Sequence, residues 1–216
     1  MVKRIIDIFC SALGLVAVAP VMLPAMALVW LQDRHSPFYI ADRVGLRGKP
    51  FRMVKLRSMV INADRTGVDS TSANDNRITA VGHFIRRFKL DELSQLWNVL
   101  IGDMSLVGPR PNVAGEVSRY TDTEAGLLDA KPGITDISSI IFSDEGDILS
   151  ASEDPDLDYN RLIRPWKSRM GLFYIEKQNL FLDLALIALT LFAIISKRRA
   201  LAALSAILRR LDAPDE

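Results

Sequence analysis

The chain has 216 residues, 49% of them hydrophobic, with a formal net charge of +1 and one cysteine. That is enough for one domain of ordinary size plus a membrane element, and the near-neutral charge gives no basic field that would argue for nucleic acid. Cys10 lies alone inside an apolar run, which excludes a disulfide framework, and His35 and His83 are too far apart for a zinc-ligand pattern.

From the N-terminus, Ile8 to Leu31 is 24 residues without a charge, long enough to cross the hydrocarbon core as a straight helix. Lys3 and Arg4 precede it and Arg34 follows, so the flanking charges set no orientation. Pro20 and Pro24 sit in its middle, where each removes a helix hydrogen bond and bends the axis. The physics admits a spanning anchor, or a helix–break–helix that enters and leaves on one face.

A soluble α/β region follows. Phe38-Tyr39-Ile40 and Phe51 to Met59 read as strands joined by a turn at 45–50. Alternation along the second strand places Lys55 and Arg57 on one face, which suits a pyrophosphate or a solvated strand face. The Ser/Thr/Asn/Asp-rich stretch from Ile61 to Asn76 reads as a short helix followed by a mobile loop. Val81 to Lys89 then brings Arg86, Arg87 and Lys89 just ahead of a carboxylate pair, where cations lower carboxylate pKa values or meet a diphosphate.

That pair, Asp91-Glu92, opens the most informative stretch, Leu90 to Pro111. Leu93, Leu96, Trp97 and Leu100 have the spacing of an apolar helix face, while Asp91, Gln95 and Asn98 align on the polar one. A carboxylate at a helix N-terminus is held ionised by the dipole, and the free N–H groups there favour a second anion such as phosphate. Two carboxylates facing phosphates repel them unless a hard cation intervenes, and Mg²⁺ is the usual choice. Arg110, clamped between Pro109 and Pro111, supplies a pre-set donor fork for phosphate oxygens. Taken singly, Asp91 reads as a helix cap and Gly108 to Pro111 as a turn.

Between Asp144 and Asp158 lie seven carboxylates in fifteen residues, whose spacing fits a solvated acidic loop rather than an EF-hand. Near the end, Leu184 to Ile195 is apolar but too short to span, and Lys197-Arg198-Arg199 leads into an Ala/Leu-rich helix from Ala200 to Leu211. Basic-ended short helices suit an interfacial position on an anionic leaflet. A buried helix–helix contact or an oligomer interface is the competing reading, so a homodimer is among the partners this end allows.

Leu-Asp-Glu-Leu, Gln-Leu-Trp-Asn-Val and Gly-Asp-Met-Ser-Leu-Val-Gly-Pro-Arg-Pro, in that order, resemble the core of the bacterial sugar transferases, the monotopic phosphoglycosyl transferases. Lys3 to Asp7, Lys55 to Met59, Asn76 to Thr79, Lys131 to Thr135 and Leu182-Asp183 extend the resemblance over most of the chain. It implies transfer of a sugar-1-phosphate from a UDP-sugar to polyprenyl (undecaprenyl) phosphate, with release of UMP. Asp91 would be the nucleophile and Asp91 with Glu92 would hold Mg²⁺, while Lys55, Arg57, Arg86, Gln95 and Arg110 would bind substrate. It also implies a re-entrant membrane helix broken at Pro20 and Pro24, and a catalytic domain on the cytoplasmic face of the bacterial inner membrane, among its lipids.

The expected organisation is therefore α/β, mostly helical with a small β element. Residues 1–33 form the re-entrant membrane helix, 34–178 the cytosolic catalytic domain, and 179–216 C-terminal interfacial amphipathic helices, in a minimal single-domain form of the enzyme. Three departures stand out. Ala19-Pro20 replaces the usual Ser-Pro, Ser94 replaces a proline, and Asp136-Ile137-Ser138-Ser139 follows Lys-Pro-Gly-Ile-Thr at a place suited to sugar discrimination. A lipid-acceptor glycosyltransferase releasing UDP, and a catalytically silent scaffold of polysaccharide assembly, are the alternatives.

Overall fold

The computed structural model describes residues 2–66, 71, 75–150 and 152–211. In chain order the elements are α1 (Val2–Asp33), β1 (Phe38–Val44), β2 (Pro50–Leu56), α2 (Ala80–Arg87), α3 (Leu90–Leu93), α4 (Leu96–Ile101), β3 (Ser105–Val107), α5 (Ala114–Val117) and α6 (Asp122–Ala125). β4 (Gly133–Thr135), α7 (Ile137–Ile141), α8 (Glu145–Ile148), α9 (Pro155–Asp158), α10 (Arg164–Lys177), α11 (Leu180–Ile195) and α12 (Lys197–Arg210) complete the described chain. It is mostly helical, with two two-stranded sheets, β1–β2 and a parallel β3–β4 pair. The chain divides into two compact units, one of Met1–Asp42, Arg52–Gly102 and Asp144–Arg164, the other of Arg43–Phe51, Asp103–Ser143 and Pro165–Glu216.

In the first unit α1 is the organising element. Its buried positions, Asp7, Ser11, Met22, Ala25 and Val29, recur at helical spacing and form one stripe. Met22, Ala25 and Val29 share a core with Leu56 of β2, Ile85 of α2 and Leu90 of α3, each fully buried large side chain contributing about 1.5–3 kcal/mol. The opposite side of the helix exposes Phe9, Leu13, Val16, Leu23 and Leu28. Polar anchors sit at both ends. Arg4 donates to the Val99 and Leu100 carbonyls at the C-terminus of α4, and Asp33 accepts a two-pronged bond from Arg57 at 2.5 and 2.8 Å. The helix is continuous from Val2 to Asp33 with both prolines inside it. The expected helix–break–helix is thus not an interruption of the helix, because a proline costs one backbone bond and a bend while the turns on either side persist.

The expected strands appear as β1 and β2, joined through a tight turn in which the Gly45 N–H bonds the Lys49 carbonyl at 2.8 Å. Of the stretch between Ile61 and Asn76, a short 3₁₀ turn at Ala63–Thr66 is seen; positions 67–70 and 72–74, which hold most of the expected mobile loop, lie outside the described residues. Asp75 and Arg77 close that stretch with an ion pair at 2.7 Å, and Thr79 caps α2 by accepting from the Gly82 N–H. Gly82 is needed there because a Cβ would stand 1.8 Å from the Ser58 carbonyl oxygen.

The single amphipathic helix expected from Asp91 onward is instead two short helices, α3 and α4. Bonds from Glu92 N–H to Lys89, Gln95 N–H to Glu92 and Trp97 N–H to Ser94 wind this stretch in three-residue turns. The stretch is buried on both sides: Asp91, Gln95 and Asn98 are buried, as are Leu96 and Val99, whereas Trp97 and Ile101 are exposed. The polar side has work to do inside, as the site shows.

In the second unit Val107, Ile137, Ile140, Tyr174, Leu182, Leu186, Leu189, Ala200 and Leu204 form the core. α11 and α12 pack on each other and on α7. Ser196, extended at φ −151° and ψ 91°, separates them, so neither helix reaches the roughly 20 residues of a span. Each buries one face in the core, and on α11 Phe181, Leu184, Leu191, Ile194 and Ile195 remain exposed. The buried helix–helix reading therefore accounts for one face of this hairpin and leaves a second apolar face outward. Asp136, expected near the sugar, caps α7 by accepting from the Ser139 N–H and both serine hydroxyls. Ile137 and Ser138 behind it are buried, so these side chains serve folding.

Candidate active site

The site in the first unit is built where β2, α2 and α3 meet. Lys89 occupies the left-handed region at φ 55°, an unfavourable conformation for a side-chain-bearing residue, and turns the chain sharply from α2 into α3. Asp91 and Glu92 therefore follow at once on Arg86 and Lys89. Ser94 and Asn98 lock this turn onto β2. The Ser94 hydroxyl contacts the Val54 and Asp91 carbonyl oxygens at 3.1 and 3.0 Å. The Asn98 amide accepts from the Val54 N–H at 2.9 Å and donates to the Arg52 carbonyl at 2.8 Å, pairing β2 as another strand would. Neither role was visible in the sequence, where Asn98 read as one more polar-face residue and Ser94 as a tolerated replacement.

Asp91 is 8% exposed, and its buried Oδ1 has no hydrogen-bond partner. Burial raises its pKa above the usual carboxylate value, and the neighbouring Glu92 charge raises it further; Lys55, Arg86 and Lys89 pull the other way. The helix end and the nearby cations, expected to favour the charged form, do not set the balance. α3 is a single four-residue turn, too short for a macrodipole, and desolvation outweighs the cations. Arg86 is itself partly desolvated, which lowers its pKa, and Asp91 is the chief influence opposing that shift. A guanidinium remains charged under such conditions.

The expected substrate-binding residues divide into groups. Lys55 and Arg86 lie close enough to act on the Asp91 charge in the first unit, and Gln95, one turn beyond Asp91, is almost fully buried. Arg57, expected beside Lys55, is instead buried against Asp33 and the Ser36 carbonyl, because β2 ends at Leu56 and the alternation does not continue. Arg110 belongs to the second unit. There it lines a shallow cleft with Pro109, Pro111, Asn112, Tyr120 and Leu127.

Among the described residues no three His, Cys, Asp or Glu side chains converge as a metal cage. A Mg²⁺ site needs none, since that ion takes one or two carboxylates and fills its octahedron with water and substrate phosphates. A buried, unpartnered carboxylate oxygen on Asp91 beside Glu92 fits such a donor set.

A long apolar helix with one face in the core of a unit and the other exposed belongs to the class of membrane-associated proteins. The family is a narrower matter. The family described as bacterial sugar transferase matches residues 1–197, and the chain belongs to it. Among similar proteins, an undecaprenyl-phosphate galactose phosphotransferase of Salmonella typhimurium is 38% identical over 200 residues, covering 86% of this chain and 38% of the relative. A UDP-glucose:undecaprenyl-phosphate glucose-1-phosphate transferase of Klebsiella pneumoniae is 34% identical over 194 residues, covering 88% and 39%. The chain thus spans well under half of those two relatives. An exopolysaccharide production protein of Sinorhizobium fredii is 31% identical over 211 residues, covering 91% of this chain and 86% of its own length.

Proposed function

We propose that the protein transfers a sugar-1-phosphate from a UDP-sugar to undecaprenyl phosphate through a covalent intermediate on Asp91. The observation that carries this is the Asp91 Oδ1, buried, without a donor, and surrounded by the charges of Lys55, Arg86 and Lys89. An unsatisfied buried carboxylate costs stability, and its retention is explained if that oxygen must remain open for a phosphorus centre. The names of the Salmonella and Klebsiella relatives support the undecaprenyl-phosphate acceptor, and that of the Klebsiella relative the UDP-sugar donor.

In the first step an Asp91 oxygen attacks the sugar-bearing phosphorus and the bond to the UMP oxygen breaks, UMP leaving with the electron pair. In the second, an oxygen of the polyprenyl phosphate attacks that phosphorus, the bond to Asp91 breaks, and the carboxylate is restored. Lys55 and Arg86 offset the charge of the incoming phosphates, and Arg110, in the second unit, is a further candidate for binding phosphate. Mg²⁺, held by Asp91 and Glu92, would supply further charge neutralisation on the diphosphate. Gln95 remains a substrate-binding candidate, and Arg57 keeps β2 and the end of α1 together.

The lipid acceptor is expected to approach from the apolar side of α1. Because Arg4 and Asp33, at opposite ends of that helix, both bond to one folded unit, a re-entrant course that begins and ends on the cytoplasmic face of the inner membrane fits better than a crossing. Trp30, with Arg34 stacked over its ring at 4.3 Å, suits the headgroup level. The exposed apolar face of α11, with the basic residues at the ends of α12, suits a second interfacial contact.

Nucleotide release tests the reaction. Purified protein in nanodiscs with Mg²⁺, undecaprenyl phosphate and a panel of UDP-sugars is expected to release UMP with at least one donor. Release of UDP would instead make the protein a glycosyltransferase, and no release from any donor would favour the silent scaffold.

A further inference from the structure

We propose that Asn98 is a positioning residue for the transfer reaction: by binding the backbone of β2 it sets where Lys55 stands relative to Asp91. This rests on the phosphosugar-transfer reading, in which Asp91 attacks and Lys55 offsets phosphate charge. All three residues lie in the first unit. Lys55 belongs to β2, whereas Asp91 and Asn98 belong to α3 and α4. The two groups that must cooperate thus stand on separate elements, and their spacing depends on what joins those elements.

Asn98 joins them with two bonds of opposite sense. Its Oδ1 accepts from the Val54 N–H at 2.9 Å, and its Nδ2 donates to the Arg52 carbonyl at 2.8 Å. Each bond has its own proton. The amide fits only this way round, because the N–H needs an acceptor and the carbonyl a donor. Arg52 and Val54 are two residues apart, so these groups lie on one edge of β2. β1 is the strand neighbour of β2, and Asn98 gives the strand the kind of partner that a further strand would supply. The Ser94 hydroxyl, four residues earlier, has a single proton to share between the Val54 and Asp91 carbonyls. The register of β2 against α3 and α4 is therefore set by Asn98.

That register matters to the site because a one-residue slip turns every side chain of a strand to its other face. Lys55 follows Val54 directly and is half-buried. It acts on the Asp91 charge more strongly than Arg86 or Lys89 does. Leu56 and Leu90 share an apolar core, which holds the elements together, but apolar contact is non-directional and fixes no register. Nor does packing require an amide at 98, since Leu96 and Val99 already bury α4. A residue of similar size without the amide would strand both backbone groups.

The test is the donor half-reaction. The full chain in nanodiscs is given Mg²⁺ and the UDP-sugar that the nucleotide-release panel identifies, without lipid acceptor, and the adduct on Asp91 is followed in quenched samples by mass spectrometry. Asn98→Ala is expected to raise the donor concentration for half-maximal loading about tenfold. Lys55→Met should do the same, and the double variant should be no worse than Lys55→Met alone. An unfolded fraction lowers the final yield of adduct and leaves half-saturation in place, so loss of fold and loss of position read separately. Amide exchange in Asn98→Ala should quicken at Val54 and stay slow at Ile85 in the core. Asn98→Thr, close in volume but without the paired donor and acceptor of an amide, serves where alanine folds poorly.

Multiplying effects of Asn98→Ala and Lys55→Met on half-saturation would overturn the assignment. So would a lowered adduct yield at unchanged half-saturation, which marks a residue that serves folding alone. Unchanged half-saturation in Lys55→Met by itself would remove Lys55 from the donor step, and the proposal with it, while adduct on Asp91 would still uphold the reaction. Absence of adduct from the unaltered protein is the separate failure of the phosphosugar reading, and this proposal falls with it.

Discussion

At the scale of the residue, Asp91 is buried at a cost to stability, which the proposed reaction would explain. Its folded-state pKa lies above the ordinary value of 3.8, so the folded protein holds this proton more tightly than the unfolded chain. The contribution therefore favours folding at low pH and is lost as pH rises through the raised pKa, leaving the ionised group a burden at neutral pH. Asp91→Asn should accordingly raise the thermal unfolding midpoint at pH 7 while lowering turnover at least about 10³-fold. A lowered midpoint by calorimetry would show that the carboxylate is structurally satisfied after all. The acid limb of the wild-type rate profile should fall at a pH above the normal carboxylate range, which initial rates from pH 4 to 8 would measure. Asn98→Ala should cost about 1–3 kcal/mol, since it strands the Val54 N–H and the Arg52 carbonyl; denaturant titration gives the value. Asp91 and Glu92 were legible in the sequence because an adjacent acidic pair flanked by cations is itself a chemical pattern. Asn98, Ser94 and Arg57 were not, because what each bonds is decided by which distant backbone docks beside it.

At the scale of the element, the apolar N-terminal run was legible as a long helix, and its charge-free length pointed to the membrane. Its inward stripe was not, since Ser11, Ala25 and Asp7 look unremarkable until α2, α3 and α4 pack against them. The burial of α3 and α4 on both sides has a similar origin. Hydropathy spacing found the two sides, but Asn98 is buried together with Leu96 and Val99, because the strand edge of β2 takes the polar side. α2 depends on a close approach to Ser58. Gly82→Ala places a Cβ 1.8 Å from that carbonyl oxygen, so α2 must shift and carry Arg86 with it. The expected result is a loss of roughly 1–3 kcal/mol, as for other overpacked sites, with KM for the donor raised; unchanged stability would mean that the backbone there yields freely.

At the scale of the whole molecule, the apolar helix belongs to the fold of the first unit as much as to the membrane. Met22, Ala25 and Val29 fill its core and Arg4 closes the end of α4. Deleting residues 2–33 should therefore leave a chain that fails to fold, read as loss of the cooperative transition and aggregation on expression, rather than a soluble active domain. Family membership was legible from ordered motifs spread along the chain. The interleaving of the two units was not, because motif order says nothing of which segments return to pack together. The central claim is that Asp91 becomes covalently loaded. Incubating the protein with UDP-sugar and Mg²⁺ but no lipid acceptor, then mapping peptides by mass spectrometry, tests it most directly. The account predicts one phosphosugar adduct on Asp91, formed with an equal amount of UMP and discharged by undecaprenyl phosphate. UMP release strictly dependent on the lipid, with Asp91 unmodified throughout, would contradict it.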